Sequence, residues 1–243
     1  MTGLVWLASC GSTNDEAWRR VEDPGVRAVG ADEQTSGRGR RGRVWHSPLG
    51  CGLYLSWIAR PAFGPEHAGA LPLLAGLCVA ELANSLGVTA TLKWPNDVLV
   101  RGRKLAGVLG EARIADGRMV AVVGIGLNLR SPPDGYPPEV PGIALESSLA
   151  AIEVATRLLE RLDGALSRLP TATPTASVVE RWMALGPVPG TRMRQGNVEG
   201  TYAGLAPDGA LLLETANGRV GLHAGEVEHQ NDPPPQEREP PCC

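Results

Sequence analysis

The sequence predicts an α+β fold: a mixed β-sheet with packed helices, followed by a small C-terminal SH3-like β-barrel. Three observations carry this. Strand-like runs between residues 90 and 129 follow one another through short turns, as hairpins do. Long helical runs stand before and after them instead of alternating with them, which argues against βαβ units. Past Trp182 the pattern changes to short strand-like runs with frequent turns. A chain of 243 residues suits one large domain with a small appendage. The expected divisions are a main domain over residues 1–185, a small domain over 186–229 and a disordered tail over 230–243.

The elements follow in order. Leu4 to Ala8 is short and apolar, as a first strand would be. Ser12, Thr13, Asn14 and Asp15 are good N-cap residues before a helix from Glu16 to Val21. Val26 to Ala31 and Gly52 to Ala59 read as strands on either side of a glycine-rich loop. An apolar helix from Ala68 to Leu86 stops at Gly87, a residue favoured just past helix ends. Ala90–Trp94, Val98–Val100, Ala106–Ala112 and Val120–Leu129 read as four more strands. Glu146 to Leu169 has Leu149, Ile152, Ala155, Leu158, Leu159 and Leu162 at helical spacing. The segment from Gly186 to Gly190 reads as a linker, and Thr191 to Val227 as the barrel. Residues 230–243 are proline-rich and polar, without an apolar pattern.

Composition narrows the function. Hydrophobic residues make up 43% and charged residues 20%, the balance of an ordinary soluble domain. A net charge of −3 argues against a general nucleic-acid coat, because such domains are basic. The apolar run from Ala68 to Leu86 is interrupted by Pro72 and Glu81, so a core helix is expected and no membrane span. Cys10, Cys51, Cys78, Cys242 and Cys243 form no metal spacing and no disulfide framework, which fits a reducing cytoplasm. The amino terminus lacks the basic region of a signal peptide.

Four segments carry chemistry. The loop from Gln34 to Trp45 loads Arg38, Arg40, Arg41 and Arg43 onto a turn bent at Gly37, Gly39 and Gly42. No acidic residue lies between Glu33 and Glu66, so these cations lack a partner nearby in sequence. Guanidinium groups grip carboxylate and phosphate oxygens in pairs, so the loop reads as a site for a small, multiply charged anion. Gly37 to Gly42 also satisfies a dinucleotide fingerprint, but a strand follows it where the fingerprint needs a helix. Lys93-Trp94-Pro95-Asn96-Asp97 places a cation, an amide and a carboxylate in one turn, able to meet a phosphate, a ring edge and a metal; alone it reads as an Asx-capped turn. Lys104-Leu-Ala-Gly107 sets a lysine near a strand start, with close backbone approach allowed at Gly107. Gly124-Ile-Gly-Leu-Asn128 admits something flat against a strand, or a β-bulge. Trp45, Trp57 and Trp94 lie near these motifs and could wall a ring system or pack in the core.

Taken together and in this order, these strings resemble the biotin–protein ligase family. The resemblance covers Leu4 to Trp182 as a class II synthetase-like catalytic domain, with the family's small C-terminal domain behind it. It implies ATP-dependent formation of biotinyl-adenylate with Mg²⁺, then transfer of biotin to a lysine of a biotin carboxyl carrier protein domain. The family's biotin contacts fall on Ser12, Thr13, Asn14, Gln34, Arg38, Gly39, Arg40, Lys104 and Gly107. Arg41, Arg43, Trp45, Lys93, Asn96, Asp97 and Asn128 match positions tied to nucleotide, phosphate or metal, with Asp97 as the metal candidate. Lys93, Lys104 and Arg40 are the expected catalytic cations. Because Ser12 lies almost at the start, a form without the N-terminal DNA-binding domain is expected, without nucleic-acid partner, as a monomer or homodimer. The rival readings are a lipoate or related acyl-carrier ligase, and an RNA-binding module using the basic loop.

Overall fold

A computed structural model describes residues 3–115, 117–137 and 141–229. The expected disordered tail and the two terminal cysteines lie outside the described residues. Seven strands form the larger sheet: β1 (Leu4–Leu7), β2 (Ala28–Ala31), β3 (Gly52–Ala59), β4 (Thr91–Lys93), β5 (Asp97–Val100), β6 (Arg103–Ala115) and β7 (Arg118–Asn128). Their spatial order is β1-β2-β3-β7-β6-β5-β4. Only β1 and β2 pair in parallel, so the sheet is mixed, as predicted.

The residue alternation along β3, β6 and β7 divides the work between the two faces. Leu53, Leu55 and Trp57 of β3 join Val123, Ile125 and Leu127 of β7 and Val108 of β6 in the main core. Helices α2 (Ala70–Ser85) and α3 (Ala151–Ser167) cover that face, and α4 (Pro174–Met183) packs against α2. α2 is buried on almost every side, which explains its lack of a polar stripe. The opposite face carries Tyr54 and Ser56 on β3, Gly107 and Glu111 on β6, and Gly124 and Gly126 on β7, set in register across the strands. The short helix α1 (Thr13–Trp18) closes one end of this second face, packing Ala17 against Val29, Ile58 and Val122.

Three helices differ from the sequence expectation. α1 spans Thr13–Trp18 in place of Glu16 to Val21, because the chain turns helical directly after Ser12. α3 starts at Ala151, five residues later than the periodicity suggests, because Glu146 is held at φ 52°, outside the helical region. The Glu153 carboxylate accepts a hydrogen bond from the Ala150 N–H and so marks the true start. α4 is a helix that the sequence pattern does not predict; Pro174 at its first turn and buried Val178, Val179 and Trp182 account for it.

The C-terminal strands β8 (Arg192–Gln195), β9 (Val198–Leu205), β10 (Leu211–Thr215), β11 (Gly218–Leu222) and β12 (Glu228–His229) form an antiparallel sheet ordered β11-β10-β9-β8-β12. Among the described residues the two outer strands do not pair with each other, so the small C-terminal β-domain expected from the sequence is an antiparallel sheet in which no barrel closure is seen. Met193, Tyr202, Leu211 and Leu213 from this sheet join the same hydrophobic cluster as the larger sheet and its helices.

Candidate active site

A cavity of about 220 Å³ lies on the second face of the large sheet, beneath the arginine loop. Its floor is the glycine row of β6 and β7. A Cβ on Gly126 would sit 2.2 Å from the Trp45 ring, and one on Gly124 2.4 Å from Asn14 Oδ1. Only glycine lets the loop's indole and the α1 amide approach the strands this closely.

One wall is neutral, and Thr13, Asn14, Gln34 and Ser56 are joined in it by side-chain hydrogen bonds. Ser12, Thr13 and Asn14 are each under 5% exposed, an unusual burial for polar residues at a helix start. Ser12 caps no helix N–H with its side chain. Gln34 does so instead, its Oε1 accepting from the Thr13 N–H at 2.8 Å. Thr13 Oγ1 lies 3.0 Å from the same oxygen and 2.8 Å from Ser56 Oγ. Ser56 Oγ reaches Asn14 Oδ1 at 2.6 Å. Gln34 Nε2 donates to Ser47 Oγ at 2.9 Å, and Ser47 donates to the Trp45 carbonyl at 3.0 Å, which ties this wall to the loop.

The other wall is cationic. Arg38 grips Asp15 through two hydrogen bonds of 2.6 and 2.8 Å and approaches Glu111 at 3.5 Å. The hydrogen bond from Arg38 holds the Asp15 carboxyl below the usual carboxylate range. Arg40 donates to Asn96 Oδ1 at 3.0 Å and to the Gly225 carbonyl at 3.3 Å. Burial first, and Arg41 beside it second, pull the Arg40 guanidinium below its ordinary value. Arg43 pairs with Glu226 of the C-terminal sheet. Lys104 Nζ lies 2.7 Å from Asp97 Oδ1 and 5.4 Å from the centre of the Trp45 ring. The expectation of arginines without partners is therefore corrected. No acid lies between Glu33 and Glu66 in the sequence, but the fold brings Asp15, Glu111 and Glu226 to the loop.

Most residues singled out from sequence meet at this cavity. Ser12, Thr13, Asn14, Gln34, Arg38, Gly39, Arg40, Arg43, Trp45, Asn96, Lys104, Gly107 and Asn128 all line it. Lys93, Arg41 and Asp97 do not. Lys93 opposes Asp97 in the β4–β5 register, and Asp97 opposes Gly107. Lys93 thus stands two strands from Gly107, roughly 10 Å away at the usual strand spacing. Arg41 is exposed on the outer side of the turn, at φ 56°. Asn128 gives both amide hydrogens to the Lys104 and Ile143 carbonyls, 3.1 Å each, so only its oxygen is left to read a ligand. Trp57 is a core residue, donating to Asp163 at 2.8 Å. Trp94 donates to the Gly209 carbonyl at 3.0 Å and joins the KWPND turn to the C-terminal sheet. The sequence reading missed Ser56, Glu111, Tyr136 and Glu226; a lone serine or acid on a strand carries no signal until its neighbours are known.

Comparison with known proteins decides the family. Residues 8–128 match the model of the biotin/lipoate A/B protein ligase family, and residues 187–230 that of the biotin protein ligase C-terminal domain. The chain is 33% identical over 240 residues to a biotin–[acetyl-CoA-carboxylase] ligase of Mycobacterium tuberculosis, covering 92% of this chain and 87% of that protein. This chain belongs to the biotin protein ligase family. It is 36% identical over 214 residues to the bifunctional ligase/repressor BirA of Bacillus subtilis, covering 82% of this chain but 65% of that relative's length. Among solved structures, a biotin protein ligase from Aquifex aeolicus in complex with biotin and ATP superposes with a TM-score of 0.74 at 28% identity, over 93% of this chain and 98% of that one. The large mixed sheet and the C-terminal antiparallel sheet are thus those of a biotin protein ligase. Among the described residues no helix is long and apolar enough to cross a membrane, and no cluster of three or more metal-binding side chains occurs.

Proposed function

We propose that this chain joins biotin to AMP at the expense of ATP and then transfers biotin to a lysine of a carrier protein, such as the biotin carboxyl carrier domain of a carboxylase. The observation that carries this is one cavity with two unlike walls. A neutral wall of hydroxyls and an amide faces a cationic wall of Arg38, Arg40, Arg43 and Lys104. Biotin is a matching molecule: a neutral cyclic urea at one end and a carboxylate at the other. Ser12, Thr13 and Gln34 suit the urea, while the glycine floor and Trp45 suit the flat bicycle.

In the first step a carboxylate oxygen of biotin attacks the α-phosphorus and pyrophosphate leaves. Charge grows on the α-phosphate oxygens, and fixed cations beside them lower the barrier. Lys104 and Arg40 take that role, with Arg38 and Arg43 holding carboxylate and phosphate oxygens. Lys93, at the margin of the same face, could meet only the outer phosphates. In the second step the carrier's neutral lysine amine attacks the acyl carbon, AMP leaves, and the amine's spare proton passes to water. Magnesium would arrive with the nucleotide and neutralise its outer phosphates. Asp97 can offer it one carboxylate, consistent with a metal bound mostly by phosphate and water, although Lys104 already holds that carboxylate. A cytoplasmic location fits the free thiols of Cys10, Cys51 and Cys78.

The test is incubation with biotin, ATP, magnesium and a biotin carboxyl carrier domain. Biotin-dependent pyrophosphate release and a carrier mass increase of one biotinyl group are expected. Lipoate supporting the reaction where biotin does not would overturn the reading.

A further inference from the structure

Glu111 sits on β6 at the edge of the cavity, and its half-buried carboxylate collects three donors. Trp18 Nε1 donates at 2.7 Å, Asn14 Nδ2 at 3.1 Å and Arg38 Nη2 at 3.5 Å. An ionised carboxylate only accepts, so it dictates which end of the Asn14 amide it meets. With Nδ2 turned to Glu111, the Asn14 oxygen must face Ser56, which is fully buried on β3. Ser56 then has to donate its single proton to Asn14 and can only accept from Thr13. The Thr13 proton is left two acceptors, Ser56 Oγ and Gln34 Oε1, both inside the wall. Either way Thr13 turns lone pairs, and no proton, toward the cavity.

We propose that Glu111 is a positioning residue that sets the hydrogen-bond polarity of this wall, so that Thr13 presents an acceptor to a urea N–H of the ligand. The inference rests on the biotin reading above. Glu111 touches no ligand; it works through Asn14 and Ser56. Two features of the wall support a directional chain. Gly124 gives the Asn14 amide a place against β7 that a side chain there would fill. The three short oxygen contacts among Gln34, Thr13, Ser56 and Asn14 share only two hydroxyl protons, so the direction of one bond decides the next.

The experiment compares Glu111→Gln with the unaltered chain. A glutamine offers one acceptor and a donor where three donors converge, and Asn14 answers by turning its amide over. Ser56 is then free to donate to Thr13 and occupies a lone pair that the ligand would use. The KM for biotin should rise about tenfold, with the KM for ATP and kcat within about twofold. The decisive readout is a double-mutant cycle with Thr13→Val. If Glu111 acts through Thr13, Glu111→Gln adds little in the valine background; a merely structural role would leave its penalty intact. Ser56→Ala cuts the chain without touching Glu111: Thr13 keeps Gln34 as its acceptor and still turns lone pairs to the cavity, so the KM for biotin should stay within about twofold even if Glu111→Gln misfolds, and Glu111→Gln should add little in that background. Equal rises in both KM values, additive penalties in either background, or a large rise in the KM for biotin for Ser56→Ala alone would each overturn the proposal. If the unaltered chain releases no pyrophosphate with biotin and ATP, the functional reading fails and takes this one with it. Normal activity with an unmoved biotin KM in Glu111→Gln removes the positioning role alone.

Discussion

The two walls of the cavity are built on opposite plans. On the neutral wall, Thr13, Asn14 and Ser56 are almost fully buried and bonded to one another, and Gln34 binds both Thr13 and the loop. On the cationic wall, Arg38, Arg43 and their partners Asp15 and Glu226 are each 41–52% exposed. Buried hydrogen bonds are costly to leave unmade, so the neutral wall keeps its shape whether or not a ligand is present. Exposed ion pairs contribute little and are readily exchanged, so the cationic wall can trade Asp15 or Glu226 for an incoming anion. The contrast implies a pre-formed recognition surface facing a set of charges that are handed over to substrate.

That contrast can be broken at several points. The largest effect is expected from Lys104→Ala. It removes a cation proposed to face the α-phosphate and should slow biotin-dependent pyrophosphate release about a hundredfold, or ~3 kcal/mol in the barrier. Near-normal release would show that the cationic wall does not take part in the chemistry. Thr13→Val comes next: it keeps shape but removes the hydroxyl, and should raise the KM for biotin roughly thirtyfold, or about 2 kcal/mol. A comparable rise in the KM for ATP would blur the division between the walls.

Arg40→Gly breaks the contacts to Asn96 and to the Gly225 carbonyl. Retention of the adenylate should suffer more than its synthesis, because Lys104 remains. Serum albumin mixed with the mutant, biotin and ATP should then become biotin-labelled, as read on a blot; unlabelled albumin while adenylate accumulates would remove Arg40 as a latch. The smallest effect is one of pH. The Asp15 carboxyl is held below its ordinary value of 3.8, so its pairing with Arg38 is complete above that value. It is lost as pH falls through the lower folded value. Carboxyl chemical shifts of Asp15 should titrate below 3.8 in the native chain and move up toward it in Arg38→Ala.

Much of this site is legible in the sequence because its parts are local strings. The KWPND turn, the Lys104 segment and the β7 glycines each hold their spacing over a few residues, and hairpin register brings them side by side. What is not legible depends on long-range closure. Asp15 lies 23 residues from Arg38, and Glu226 lies 183 residues from Arg43. No window around the loop could show that its arginines are paired. The fold class follows from hairpin patterning, but α4 does not. Its ten residues follow closely on a longer helix, and only Pro174 after Thr173 announces a new start. The early start predicted for α3 fails because apolar periodicity ignores a single residue with positive φ.

Trp45 offers a consequence of another kind. Its indole lies against the glycine floor, and its Nε1 is buried without a hydrogen-bond partner among the described residues. An indole whose N–H is shielded from water emits at shorter wavelengths than a solvated one. Of the six tryptophans in the chain, Trp45 is the one that lines the cavity. The protein therefore carries its own optical reporter of occupancy. A ligand that packs against the indole or lifts it from the strands should change emission in a way that Trp45→Phe abolishes, so that filling of the cavity can be followed in real time without any label.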